Sequence, residues 1–235
     1  RSGDLARILD LTGLTRAQQQ NQGENAIVAI VDSGVFPAAI PDQRVLATFA
    51  DHPGDNPRED STGHGSMVGA IAYAAAPRAS FIIIKPAVNP RGAMESLSTL
   101  TALDYLAAKA LELKTPIITN HSWGVFGTDN LVLPCTVAMT RAMRLLDETN
   151  LVMTVWAIGN NRQMVGEGRL SGWCMATTKW STAGGAVGRN LRPQPYTSLG
   201  GQCFPWQPCV VGPTFGILPW GEGYRALGEQ GGGPS

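Results

Sequence analysis

Ala26-Ile27-Val28-Ala29-Ile30-Val31-Asp32-Ser33-Gly34 is an apolar, β-branched run that ends on a carboxylate and a tight glycine turn. Bounded by Asn25 and Gly34, it reads as a short, fully buried strand. Downstream, Gly63-His64-Gly65-Ser66-Met67-Val68-Gly69-Ala70-Ile71-Ala72 sets a histidine at the mouth of a helix, His64–Ala76. That helix is built from small residues, so it must lie close to whatever it covers.

The chain then alternates. Ala79–Lys85 reads as a strand. Met94–Leu113 reads as a helix, with Leu97, Leu100, Leu103, Leu106 and Leu113 near helical spacing and Pro116 as its stop. Pro116–Asn120 is the next strand. Leu131–Thr149 is helical in pattern, with Ala138, Ala142, Leu145 and Leu146 as the expected buried face. Leu151–Ala157 and Ser181–Val187 complete the strands. Strands alternating with helices of this length predict an α/β protein: a doubly wound, mostly parallel sheet with helices on both faces. Reactive groups in such sheets gather at the carboxyl ends of the strands. Asp32, Asn120 and Asn160 each fall at or just past a strand's last apolar residue. From Asn190 onward the sequence is rich in Gly, Pro and Gln without clear periodicity, and residues 1–235 read as a single domain.

Lys+Arg and Asp+Glu number 18 each, so no net charge draws the protein to nucleic acid or to an acidic membrane. No apolar run approaches the roughly 20 residues that span a bilayer. The first residues show no charged n-region followed by an apolar h-region, and the start at Arg1 is that of a processed or trimmed product. The cysteines are Cys135, Cys174, Cys203 and Cys209, with no CxxC among them. An even count permits two disulfides: Cys203–Cys209 would close a short loop and leave Cys135–Cys174, with four ordinary thiols as the alternative. Disulfides would place the protein in an oxidising compartment, extracellular or periplasmic.

A carboxylate at the end of a buried strand is costly unless paired. For Asp32 an imidazole is one solution, and an Asx turn is another. At a helix N-terminus the dipole disfavours imidazolium, so His64 is expected to stay a neutral base. His52 and His121 lack such a context and read as ordinary. Asp51, Asp55, Asn56, Glu59 and Asp60 are hard-oxygen residues in one loop, but their spacing matches no defined calcium loop. They read as a solvated acidic loop, with Asp60 able to edge a pocket, and no metal ligand set is assigned.

Asp32-Ser33-Gly34 and His64-Gly65-Ser66-Met67-Val68 resemble the subtilisin-like serine proteases, the subtilases. Met67 and Ala70 stand where that family usually has His and Gly. Asn120-His121-Ser122-Trp123-Gly124 resembles the family's N-x-S-W-G stretch, along which substrate lies. Trp156-Ala157-Ile158-Gly159-Asn160 resembles its A-x-G-N stretch, whose asparagine points into the oxyanion hole. The resemblance implies a three-layer subtilisin-like fold and a serine endopeptidase acting on polypeptide. It implies Asp32, His64 and Asn160 as catalytic residues. It implies Ser122, Trp123, Gly124, Ala157, Ile158 and Gly159 as substrate-binding residues, with the Gly166–Gly168 loop lining the main pocket. Gly124 would let a peptide backbone approach closely. Calcium is common in the family and is the one cofactor the resemblance allows.

The family's G-T-S-x-A nucleophile string does not occur. Gly231-Gly232-Gly233-Pro234-Ser235 is the best match, with Pro234 in place of threonine and Ser235 as the nucleophile. Val210-Val211-Gly212-Pro213-Thr214 resembles the approach strand, and Ser198 fits the loop before it. A flexible glycine tail is the alternative for the final segment. In the family the nucleophile begins a buried helix, so the expected catalytic domain lacks its C-terminal helical segment. A longer polypeptide or a second chain would supply that segment after Ser235. A non-catalytic domain that binds peptide or protein through the same cleft, or one fragment of a split protease, is the alternative function.

Overall fold

The computed structural model describes residues 9–10, 12–87, 96–124, 135–160, 173–178, 180–186, 195, 197 and 198. In chain order the elements are α1 (Leu14–Gln18), β1 (Ile27–Val31), β2 (Val45–Ala50), α2 (His64–Ala75) and β3 (Ser80–Lys85). They continue with α3 (Ser96–Leu113), β4 (Ile117–His121), α4 (Val137–Glu148), β5 (Val152–Ala157) and β6 (Ser181–Gly184). The strands form one six-stranded sheet in the order β2-β3-β1-β4-β5-β6. Every pairing is parallel.

The period of two along β1 sorts its side chains to two cores. Ile27, Ala29 and Val31 meet Ala102, Leu103, Leu106 and Ala110 of α3 and Met139, Met143 and Leu146 of α4. Ile30 faces the other way, with Phe81, Ile83 and Val68 of α2. Each such aliphatic or aromatic side chain contributes about 1.5–3 kcal/mol on burial. Three layers follow directly: both faces of a parallel sheet are apolar, so both need a helical cover. After β1 the chain builds one side of the sheet, and from β4 onward it builds the other. The crevice between the carboxyl ends of β1 and β4 is therefore the topological switch point.

Several boundaries depart from the sequence expectation. Strand β2 and helix α1 were not foreseen. β2 is an edge strand with half-exposed faces and a register irregularity between Val45 and Ala47, so its alternation is weak. Helix α4 begins only at Val137, because Thr136 is an extended N-cap whose Oγ1 accepts from the Met139 N–H at 3.2 Å. Its buried face is Met139, Met143 and Leu146, while Leu145 is 51% exposed. The stripe runs i, i+4, i+7, one position off the alanine-based expectation. In α3 the buried stripe takes Ala102, Leu103, Leu106 and Ala110, and Leu97 is exposed. Cys135 and Cys174 form a disulfide that ties the start of α4 to the segment before β6. Cys203, Cys209, Gly166–Gly168, Val210–Thr214 and Gly231–Ser235 lie outside the described residues. Among the described residues no helix is long and apolar enough to cross a membrane.

Candidate active site

Asp32 follows β1 directly, and its N–H donates to the Ile84 carbonyl at 3.0 Å, the last sheet bond before the turn. Its carboxylate is almost wholly buried. Oδ1 accepts from the Ser33 N–H at 2.8 Å. His64 Nδ1 lies 2.9 Å from Oδ1 and 3.0 Å from Oδ2. A carboxylate can only accept, so Nδ1 carries the proton and Nε2 holds a lone pair. Among the described residues Nε2 has no partner, and 30% of the imidazole side chain is exposed. The buried-carboxylate problem posed by the sequence is thus solved by the imidazole.

Burial works to lower the basicity of His64, but the charge and hydrogen bond of Asp32 outweigh it, with the Asp60 charge adding to them. Its pKa is raised above the ordinary 6.5. The helix N-terminus was expected to act the other way. Two nearby carboxylates, Asp32 first and Asp60 after it, supply the upward shift.

The mouth of α2 is held by side chains of three residues. The first N–H groups of a helix have no intrahelical partner. Here the His64 N–H donates to Thr62 Oγ1 at 3.2 Å, the Gly65 N–H to Ser33 Oγ at 3.2 Å, and the Ser66 N–H to Asp60 Oδ2 at 2.6 Å. Asp60 Oδ1 also accepts from the N–H groups of Thr62 and Gly63 and from Ser33 Oγ at 2.6 Å. Asp60 is therefore no member of a solvated acidic loop: it is 8% exposed and organises the turn that carries His64. Burial opposes its ionisation, but these hydrogen bonds hold its pKa below the ordinary value. The run Asp60-Ser61-Thr62-Gly63 before a helix was the available sequence signal. A side chain on Gly65 would run into the Gly34 carbonyl and lie 3.0 Å from Asp32 Cβ, so only glycine lets this turn reach Asp32. Lys85, at the end of β3 and also buried, donates to the Glu59 carbonyl at 3.0 Å and pins the same loop.

Two of the oxygen-bearing side chains in residues 51–60 are already committed to protein donors. Asp60 is fully engaged by protein donors, Asn56 Oδ1 accepts from the Arg58 N–H, and the Arg58 guanidinium pairs with Asp42. Among the described residues no group of three or more His, Cys, Asp or Glu could hold a metal ion.

The two remaining segments leave the carboxyl ends of the adjacent strands β4 and β5. Asn120 Nδ2 donates to Ser122 Oγ at 2.9 Å. Trp123 is turned into the fold: its Nε1–H donates to the Val31 carbonyl at 2.9 Å, and its ring meets Trp156 edge-on. His121, set aside in the sequence, is wholly buried and stacks on Trp156 at 3.9 Å. Its Nε2 lies 2.8 Å from Thr119 Oγ1. Burial pushes its pKa down to about 3. Ala157 and Ile158 are buried, and Gly159 has φ of 108°. Ser198, read as part of the loop before the approach strand, donates its N–H to the Gly159 carbonyl at 2.9 Å. The side-chain oxygen of Asn160 is buried and has no hydrogen-bond partner among the described residues. The space over Gly124 is occupied by the indole of Trp173, which alters the reason for that glycine. Ser235 lies outside the described residues.

Comparison with known proteins accords with this geometry. No curated protein matches the chain. Among solved structures, the prenylagaramide maturation protease PagA is similar at 20% identity and a TM-score of 0.61, over 81% of this chain and 64% of that one. Sphericase is similar at 22% identity and a TM-score of 0.60, over 77% and 61%. A cold-adapted subtilisin-like serine proteinase is similar at 15% identity and a TM-score of 0.57, over 77% and 62%. The chain thus spans less than two thirds of each of these structures, and the likeness is one of fold. The model of the subtilase family matches residues 23–220, and the chain belongs to that family of serine proteases.

Proposed function

We propose that the protein is a serine endopeptidase. The observation that carries this reading is His64, bonded through Nδ1 to the buried Asp32, with no partner for Nε2 among the described residues. Ser235 is the nucleophile by sequence. Its Oγ attacks the peptide carbonyl carbon while His64 Nε2 takes the hydroxyl proton. Asp32 holds the imidazole in the Nδ1–H tautomer and stabilises the imidazolium. Asn160, three residues past the end of β5, donates a side-chain N–H to the oxygen that gains negative charge. Collapse of that tetrahedral adduct breaks the C–N bond, and His64 returns its proton to the departing amine. Water then repeats the sequence on the acyl-enzyme and regenerates Ser235.

The substrate is a polypeptide lying along Ser122–Gly124, with Ala157–Gly159 on its other side. The Cys135–Cys174 disulfide supports an extracellular or periplasmic setting. Treating the full-length protein with a fluorophosphonate tests the reading. Labelling at Ser235, lost in Ser235→Ala and strongly slowed in His64→Ala, is expected. A folded protein that is not labelled and cleaves no peptide would overturn it.

A further inference from the structure

β4 and β5 are neighbours in the sheet, and beyond their carboxyl ends the segments Ser122–Gly124 and Ile158–Asn160 run on. The Trp173 N–H donates to the Ile158 carbonyl at 2.8 Å, which sets residue 173 alongside the β5 extension. From there its indole reaches both segments. A Cβ built on Gly159 would lie 2.8 Å from Nε1 and 3.0 Å from Cδ1. A Cβ on Gly124 would overlap the six-membered ring at Cδ2 and Cε3. One edge of the ring thus rests on Gly159 and the other on Gly124, and Trp173 is only 6% exposed. The next residue, Cys174, is covalently tied to Cys135, so the backbone under the indole is anchored.

We infer that Trp173 sets what the cleft accepts: its indole fills the gap between the two substrate segments, and the residue preceding the scissile bond must be small. The inference rests on the peptidase reading. If the scissile carbonyl points at Asn160 while the peptide lies along Ser122–Gly124, the side chain on that carbonyl's own residue points into the gap between the segments. A glycine, alanine or serine needs little of that space. A leucine or phenylalanine needs the volume the indole occupies. The same ring lies against both glycines, and a Cβ at either would come within 3.0 Å of it, while Gly159 also holds a φ of 108° that favours glycine.

Peptides differing only in the residue before the scissile bond (Gly, Ala, Leu, Phe) test this on the full-length protein. For the wild type, kcat/KM on the Ala peptide is expected to exceed that on the Phe peptide by tenfold or more. Trp173→Ala and Trp173→Gly should raise the Leu-to-Ala and Phe-to-Ala ratios by tenfold or more. Trp173→Phe keeps a buried aromatic ring and should still move the Leu ratio at least threefold, so the test survives if the smaller variants do not fold. Equal cleavage of Ala and Phe peptides by the wild type, or a uniform loss with unchanged ratios in the variants, overturns the inference and leaves the peptidase reading intact. Affinities of the same peptides for Ser235→Ala separate the two ideas. A small-residue preference in binding that Trp173→Ala removes, with no labelling or turnover of the parent protein, sinks the peptidase reading and keeps the role of Trp173. Neither binding nor turnover sinks both.

Discussion

His64 sits between opposing influences. Burial and the helix N-terminus favour the neutral ring, whereas two carboxylates favour the cation, and the cation gains on balance. As a general base it works only when unprotonated, so activity is lost as pH falls through its pKa. The acid limb of kcat/KM is therefore expected to have its midpoint above pH 6.5. A midpoint at or below that value would contradict the arrangement. Asp32→Asn removes the charge and favours the wrong tautomer. It should lower kcat by about 10⁴-fold and bring the His64 pKa down, as followed by NMR of the ring protons. Asp32 and His64 were both legible as residues, because their neighbours in sequence, the strand before one and the small helix after the other, state their surroundings. Asp60 was not, because its donors come partly from Ser33, in a turn distant along the chain.

At the scale of elements, the first turn of α2 depends on Asp60, which accepts backbone bonds from Thr62, Gly63 and Ser66. Removing a buried acceptor strands its donors, each short of one hydrogen bond. Asp60→Ala should cost about 1–3 kcal/mol in urea unfolding. It should also lower the His64 pKa, since the Asp60 charge helps to raise it. A purely solvated residue would give neither effect. The disulfide joins α4 to the segment carrying Trp173 across a sequence separation of 39. On loop-closure entropy the crosslink stabilises by about 4 kcal/mol. The double variant Cys135→Ala, Cys174→Ala is expected to melt well below the wild type, and an unchanged melting temperature would refute this contribution. The helices α3 and α4 and the buried strands were legible from apolar patterning, although the buried face of α4 fell one position away from the expected one. Edge strand β2 was not, because one row of its side chains faces solvent and its alternation carries little contrast.

For the whole molecule, the telling residue is His121, fully buried at the end of central strand β4 and stacked on Trp156. In the unfolded chain it protonates near pH 6.5, whereas the folded protein holds it neutral down to about 3. The unfolded state thus binds the extra proton between those values. The stabilising contribution is complete above pH 6.5 and is lost progressively as pH falls toward 3, an effect on the order of a few kcal/mol. His121→Phe preserves the stack and removes the titration, so the acid slope of stability measured by urea unfolding should flatten. A slope identical to that of the wild type would exclude His121 as its source. The sequence by itself determined the layered α/β architecture and singled out Asp32 and His64, because periodicity and glycine turns act over short stretches of chain. Only the tertiary structure decided the strand order, the capping by Asp60 and the wedge of Trp173 against Gly124 and Gly159. Each of those requires groups from separate elements to meet, and the close packing that brings them together leaves no trace in local sequence.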